Sequence, residues 1–322
     1  MTTSETTARS LPLETTPPEK KSRIALVAWV SNNPILFKEL RSRMRNIRSL
    51  ASITLYIALL SFVILLIYAS LTSLNNYLQM DTLRSLGRSI FFTVYGLELI
   101  IICMTTPALT AGAISHEKEQ QTYDLLRTTL LPARDLILGK LLGAISFALL
   151  FILAAIPLQA IALIFGGLTA SEIFISQLIL LLTALALGSF GLFFSSFISK
   201  TRIATGAAQI TSLSLVLIIP ILLLTSVLYV ENRFAIQQQS DLIQILFYSF
   251  VWLIGITNPV FTAIVTELFL FEEQALYFLT QTLQGGTTVL IPSPWLGFAV
   301  FYSLLIFTLL TLAIRNIQHP PR

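Results

Sequence analysis

Long apolar stretches recur along this chain, separated by short polar segments. Six are long enough to cross a bilayer: roughly Ala51 to Leu74, Ile90 to Ala113, Leu136 to Phe165, Ile173 to Ile198, Thr205 to Val230, and Trp295 to Ile314. At about 1.5 Å per residue each reaches across a hydrocarbon layer of about 30 Å. The runs are continuously apolar and far exceed the roughly 9–11 residues of a barrel strand, so they predict helices. Pro157 and Pro220 fall inside the third and fifth runs and predict kinks that neighbouring helices absorb. The 15-residue run Leu242–Ile256 is short for a crossing and better suits a re-entrant or interfacial segment. A seventh crossing there would move the C-terminus to the other side of the membrane.

Composition agrees with the pattern. Hydrophobic residues make up 55% and charged residues 11%, with a mean hydropathy of +0.82, whereas soluble domains carry about 25% charge. The 322 residues therefore read as one helical bundle, spanning residues 51–315, rather than two soluble domains. Residues 1–23 are polar and proline-bearing, and residues 1–31 are expected to form a disordered cytoplasmic tail with no cleavable signal; residues 316–322 are expected to form a short cytoplasmic C-terminal tail. Cys103 is the one cysteine and has no partner for an internal disulfide.

Charge sets the expected orientation. With six spans and the N-terminus inside, 17 Lys and Arg residues fall on cytoplasmic segments, against Arg84, Arg88 and Arg233 outside. The positive-inside rule favours this arrangement, with both termini in the cytoplasm of a plasma-membrane protein. Residues 231–292, between spans five and six, form the outer segment and carry Glu231, Asp241, Glu267, Glu272 and Glu273 against one arginine.

Residues 32–48 open with Asn33 as a candidate cap and Pro34 in the first helical position. On a helix, Phe37, Leu40, Met44 and Ile47 share an apolar stripe, and Lys38, Arg41, Arg45 and Arg48 a basic stripe beside it. This predicts an interfacial helix lying on the membrane, its basic flank near anionic lipid headgroups. The bland alternative is positive-inside bias alone. Nothing accompanies these charges that would read nucleic acid.

The connection between spans two and three, residues 115–131, is the most informative stretch. Ser115 is a candidate cap, and Glu117 and Glu119 suit the start of a helix. Tyr123, Leu126 and Leu130 share one face with Leu125 beside it, and Pro132 breaks the run. A short amphipathic helix held between two spans is a lever that a cytoplasmic partner can grip.

The pattern Glu117-x-Glu119-x-x-Thr122-x-x-Leu125-Leu126-x-Thr128, followed by Leu138-Gly139-Lys140-Leu141-Leu142, resembles the signature of type-2 ABC transporter permeases. Asn33-Pro34-x-x-x-Lys38-Glu39-Leu40-Arg41 resembles their N-terminal elbow helix, and Asn258-Pro259 is similarly placed before the last span. Gln121 departs from the pattern, standing where such permeases often have glycine. The resemblance implies an all-α integral membrane fold: six transmembrane helices, the interfacial elbow helix, a cytoplasmic coupling helix and an outer re-entrant or interfacial segment. It implies an exporter's permease that pairs with a second copy or a related permease and docks a separate ABC ATPase. Tyr123, Leu125 and Leu126 would fill an apolar groove on that ATPase, with Glu117, Glu119, Asp124 and Arg127 at the rim.

ATP and Mg²⁺ would then sit on the partner, because this chain has no phosphate-cradling loop. Gly139-Lys140 is followed by Leu141, and Arg134 stands where the first glycine of such a loop belongs. His116 and His319 are the only histidines and lie far apart, so neither a metal cluster nor a nucleophile–base pair is expected. Glu98 is the one charge well inside a span. A carboxylate there costs several kcal/mol unless it is paired, hydrated or protonated. It either lines the translocation path near a dimer axis or is held structurally by Tyr95 or another helix. A secondary transporter or a non-transporting scaffold would also need spans and a cytoplasmic helix. The first would commonly show internal repeats and several midplane charges, which this sequence lacks.

Overall fold

The structure is a computed structural model and describes residues 47–74, 80–122, 132–272, 276–282 and 286–318. The interfacial-helix residues Phe37, Lys38, Leu40, Arg41, Met44 and Arg45 lie outside these. Arg48 falls in the first turn of the first described helix. The helices are α1 (Ile47–Leu74), α2 (Met80–Glu119), α3 (Ala133–Ile164), α4 (Ala170–Phe197), α5 (Thr201–Phe234), α6 (Asp241–Gly255), α7 (Pro259–Glu272) and α8 (Pro294–Gln318). Strands β1 (Phe278–Thr282) and β2 (Thr288–Pro292) pair antiparallel between α7 and α8, with Thr280 opposite Leu290. Six helices, α1 to α5 and α8, are long and apolar enough to span a membrane.

The sequence reading is corrected at one place. Span two is not followed by a separate helix capped at Ser115: α2 runs unbroken for 40 residues through Ser115 to Glu119. Ser115 is buried, and its Oγ donates to the Ala111 carbonyl 2.8 Å away in the preceding turn. The outer segment holds a second short helix, α7, and the β-hairpin, beside the 15-residue helix α6.

Helix α4 is the axis of the bundle. Within its most apolar stretch 61% of residues are inside the protein, against 6% for α5, and it packs on α2, α3, α5, α7 and α8. Lipid tails are as apolar as leucine, so close helix approach rather than water exclusion joins such helices. Gly191 provides it here, since a Cβ at that position would lie 1.9 Å from Thr110 Oγ1 on α2. One turn further along α4, Ser195 Oγ accepts the backbone N–H groups of Ile114 (2.9 Å) and Ser115 (2.8 Å) on α2. The start of α4 is set by a capping box: Glu172 N–H donates to Thr169 Oγ1 at 3.4 Å, and Thr169 N–H to Glu172 Oε2 at 3.1 Å.

The kink expected at Pro220 takes the form of a π-helical turn, Ser214–Ile218, inside α5. There Ile219 N–H bonds back to Ser214 O, five residues earlier. The next bond in that register would come from residue 220, a proline without an N–H, so the Leu215 carbonyl is left over. Asn258 supplies the missing donor through Nδ2. Its Oδ1 meanwhile accepts Val260 N–H (2.9 Å) and Phe261 N–H (3.1 Å), capping α7. One fully buried amide thus serves two helices.

Asn258→Ala removes a cap worth about 1 kcal/mol and orphans a buried carbonyl at about 1–3 kcal/mol. Thermal melting of the purified protein in nanodiscs is expected to show a loss of about 2–4 kcal/mol. Asn258→Ser, which keeps a capping oxygen but is too short to span to α5, is expected to fall between; an unchanged Asn258→Ala would mean that Leu215 is satisfied elsewhere.

Candidate functional site

The described residues bring together a collar of polar contacts where α2, α3, α4, α5 and α8 end or begin on the side away from the hairpin. It forms because α2 extends past its apolar stretch and presents Glu117, Lys118 and Glu119 to its neighbours. Lys140, in the third turn of α3 and largely buried, donates from Nζ to Glu117 Oε1 at 2.7 Å and to the Ala113 carbonyl. The two halves of the sequence signature, one at Glu117 and one at Lys140, therefore meet as an ion pair. Lys118 Nζ donates to the Ser196 carbonyl at the end of α4, and Asn316 Nδ2 of α8 donates to the same oxygen at 2.6 Å. The last carbonyls of a helix lack intrahelical donors, and a cation beside them also complements the helix dipole. Glu119 Oε2 accepts from Thr201 Oγ1 (2.6 Å) and N–H (3.4 Å), fixing the start of α5.

From this collar the chain leaves through a tight turn. Thr122 N–H reaches back to Glu117 O (3.0 Å) and Gln121 N–H to Lys118 O (3.2 Å), the paired bonds of a Schellman C-cap. The residue at the turn, Gln121, has φ of +58°, in the left-handed region that glycine occupies without cost. The departure noted in the sequence thus leaves the turn's shape intact and strains it instead.

Of the residues predicted to couple to a partner, Glu117, Glu119 and Thr122 stand at the collar. Tyr123, Asp124, Leu125, Leu126 and Arg127 lie outside the described residues. Both glutamates are engaged with this chain, where the sequence had suggested a partner's rim. Sequence reasoning did not pick out Lys140 as the partner of Glu117, nor Ser195, Ser196, Thr201 and Asn316.

Glu98 is 1% exposed and sits in the interior of α2, α3 and α4. Its Oε2 accepts from Gln159 Nε2 at 2.6 Å, and Gln159 Oε1 accepts from Gln177 Nε2 at 2.7 Å, a chain of three side chains from three helices. Amides amid apolar runs were the signal that could have located both glutamines. Nearer the hairpin end, a small cleft between α2, α4 and α7 is lined by Phe91, Tyr95, Glu172, Ser176, Thr266 and Glu267. Arg88 Nη2 lies 4.0 Å from Glu267 Oε1. Burial, reinforced by the Glu172 charge and opposed by Arg88, pushes the Glu267 carboxyl up to about 7. Among the described residues no group of three or more His, Cys, Asp or Glu side chains could hold a metal ion.

Six helices long and apolar enough to cross a bilayer define a multi-pass membrane protein. The model of the ABC-2 family transporter proteins matches residues 33–314, and the chain belongs to that family, as the membrane subunit of an ABC transporter. No curated protein matches the chain.

Two measurements follow. Gln121→Gly removes left-handed strain and is expected to stabilise by up to about 1 kcal/mol, whereas Gln121→Val destabilises by about as much; equal melting of all three would place no strain at the turn. Glu267 binds a proton more readily folded than unfolded, so its contribution to stability is present at low pH and is lost as pH rises from 4.5 through about 7. The apparent melting temperature should fall across that window, and Glu267→Gln should flatten the fall.

Proposed function

We propose that this chain is the permease of an ATP-driven exporter, coupled to a separate nucleotide-binding chain through the connection between α2 and α3. The observation that carries this reading is the collar: the connection leaves and re-enters the bundle where five helices are tied together. A push on residues 120–131 would reach α3 through Glu117 and Lys140, α4 and α8 through Ser196, and α5 through Glu119 and Thr201. Tyr123, Leu125 and Leu126 then fill an apolar groove on the ATPase, with Asp124 and Arg127 at its rim, while Glu117 and Glu119 anchor the lever's base. The collar faces the cytoplasm, as the excess of Lys and Arg on its side supports. Both termini are cytoplasmic, the membrane is the plasma membrane, and residues 32–48 lie on its inner surface as an elbow. The partner binds ATP and Mg²⁺, and a second permease, identical or related, completes the transporter. Glu98 is assigned a structural role beside the translocation path, its carboxylate turned to Gln159.

Affinity purification in mild detergent is expected to recover a phosphate-loop protein at a fixed ratio, and Leu126→Asp to lose it while the bundle still elutes as a folded species. Undiminished recovery with Leu126→Asp would remove the docking site. Recovery of the chain alone, moving solute on an ion gradient, would replace the exporter with a secondary transporter.

A further inference from the structure

The buried face of α7 is polar. Asn258, Thr262 and Thr266 recur at every fourth residue, all at or below 2% exposure, with Glu267 beside them. Thr93, Thr105, Thr110, Thr183 and Thr211 turn their hydroxyls back to the carbonyl four residues earlier, while the buried Thr106 of α2 does not. Thr262 and Thr266 do not either, and their hydroxyls have no hydrogen-bond partner. A buried unpartnered hydroxyl is costly, and these two leave hydrogen-bonding capacity for a group that the chain itself does not supply.

Thr266 lines the cleft between α2, α4 and α7, as do Glu172, Glu267 and Ser176. Glu267 Oε1 also lacks a hydrogen-bond partner. Ser176 donates to Ile173 O at 2.8 Å, which leaves its oxygen lone pairs to accept. Above pH about 7, where Glu267 is ionised, Arg88 sets one positive charge against two carboxylates. The cleft has room for one water-sized group, and apolar ring edges from Phe91 and Tyr95 close its α2 side. Oxygen donors alone, one excess negative charge and a water-sized space suit a small hard cation of single charge. They suit neither an anion nor a soft metal.

We propose that this cleft is a binding site for one small monovalent cation, held by Glu267 and Glu172 with the Thr266 and Ser176 hydroxyls as neutral ligands. Occupancy pairs the carboxylates of α4 and α7 that would otherwise repel, and so clamps the short helix α7 onto the core. The site does not depend on the exporter reading, and its test needs neither an ATPase nor a cargo.

The probe is silver ion, a monovalent cation that bonds covalently to thiolate, used on the full chain in nanodiscs with both faces open and Cys103→Ser as background. Thr266→Cys, and separately Ser176→Cys, place a thiol at a ligand position with little change in volume. The readout is the rate at which silver blocks later maleimide labelling of the denatured chain. Both cysteines are expected to react far faster than Leu180→Cys, a buried apolar control. Adding Glu267→Gln is expected to slow them about tenfold, the lower end of what a charged cleft contributes to local cation concentration. Sodium, potassium or ammonium nitrate, substituted for N-methylglucamine nitrate at equal ionic strength, is expected to compete. Reaction no faster than at Leu180→Cys, a rate indifferent to Glu267→Gln, or failure of all three cations to compete would each overturn the site.

Discussion

A polar group inside a bilayer has no water to bond and draws its partners from the protein, and that constraint organises this structure. It is visible wherever a helix departs from regularity. Pro220 cannot complete the π-turn of α5, and the carbonyl it strands is met by Asn258, 43 residues further along the chain. Glu98 cannot stand alone in an apolar interior, and two glutamines from α3 and α4 are strung toward it. The end of α4 cannot leave the Ser196 carbonyl bare where it is buried, and Lys118 of α2 and Asn316 of α8 reach it. In each case the satisfying group comes from a different helix. The hydrogen bonds that neutralise local faults therefore also fix which helices are neighbours.

This explains why α4 can be the axis although its sequence is among the blandest. Its glycines and alanines let α2 approach until backbone meets side chain, and recognition falls to the Ser195 hydroxyl for α2 and to the Ser196 backbone carbonyl for α2 and α8. By contrast α5 keeps its large apolar side chains, Leu222, Leu224 and Leu228 among them, on the surface. A helix that packs inside a membrane is recognised less by hydrophobicity, which every span shares, than by small residues and sparse polar ones.

The same distinction separates what was legible in the sequence from what was not. The six spans could be read because length and apolar continuity answer to bilayer thickness alone. Their ends could not. Span two was expected to stop near Ala113, yet α2 continues to Glu119, because Ser195 and Lys140 provide partners that only the folded chain assembles. The signature residues Glu117 and Lys140 were both in view, but their pairing depends on two helices running antiparallel through the same collar. Glu98 was visible as an intramembrane charge, while Gln159 and Gln177 were hidden by attention to charge alone. The capping box Thr169-x-x-Glu172 was readable and carries its own local mechanism. Helix α7 and the hairpin are short and depend on contacts such as Trp252 Nε1 to Pro292 O and Trp295 Nε1 to Leu276 O, which no local pattern encodes.

The ion pair at the collar illustrates why such groups are retained at all. Replacing a largely buried pair by apolar side chains is often neutral or stabilising, so Lys140 and Glu117 are poorly explained as a stability device. What an apolar pair would lack is direction. Lys140 must reach both the Glu117 carboxylate and the Ala113 carbonyl, and those two acceptors lie one turn apart on α2. Sliding α3 by a turn, or rotating α2, would break both bonds and leave a charge without its partner in a region with little water. An apolar contact would tolerate either movement at small cost. The pair therefore makes the junction between α2 and α3 stiff against slippage, which is the property a base needs if force applied to the connection is to move helices rather than deform the joint.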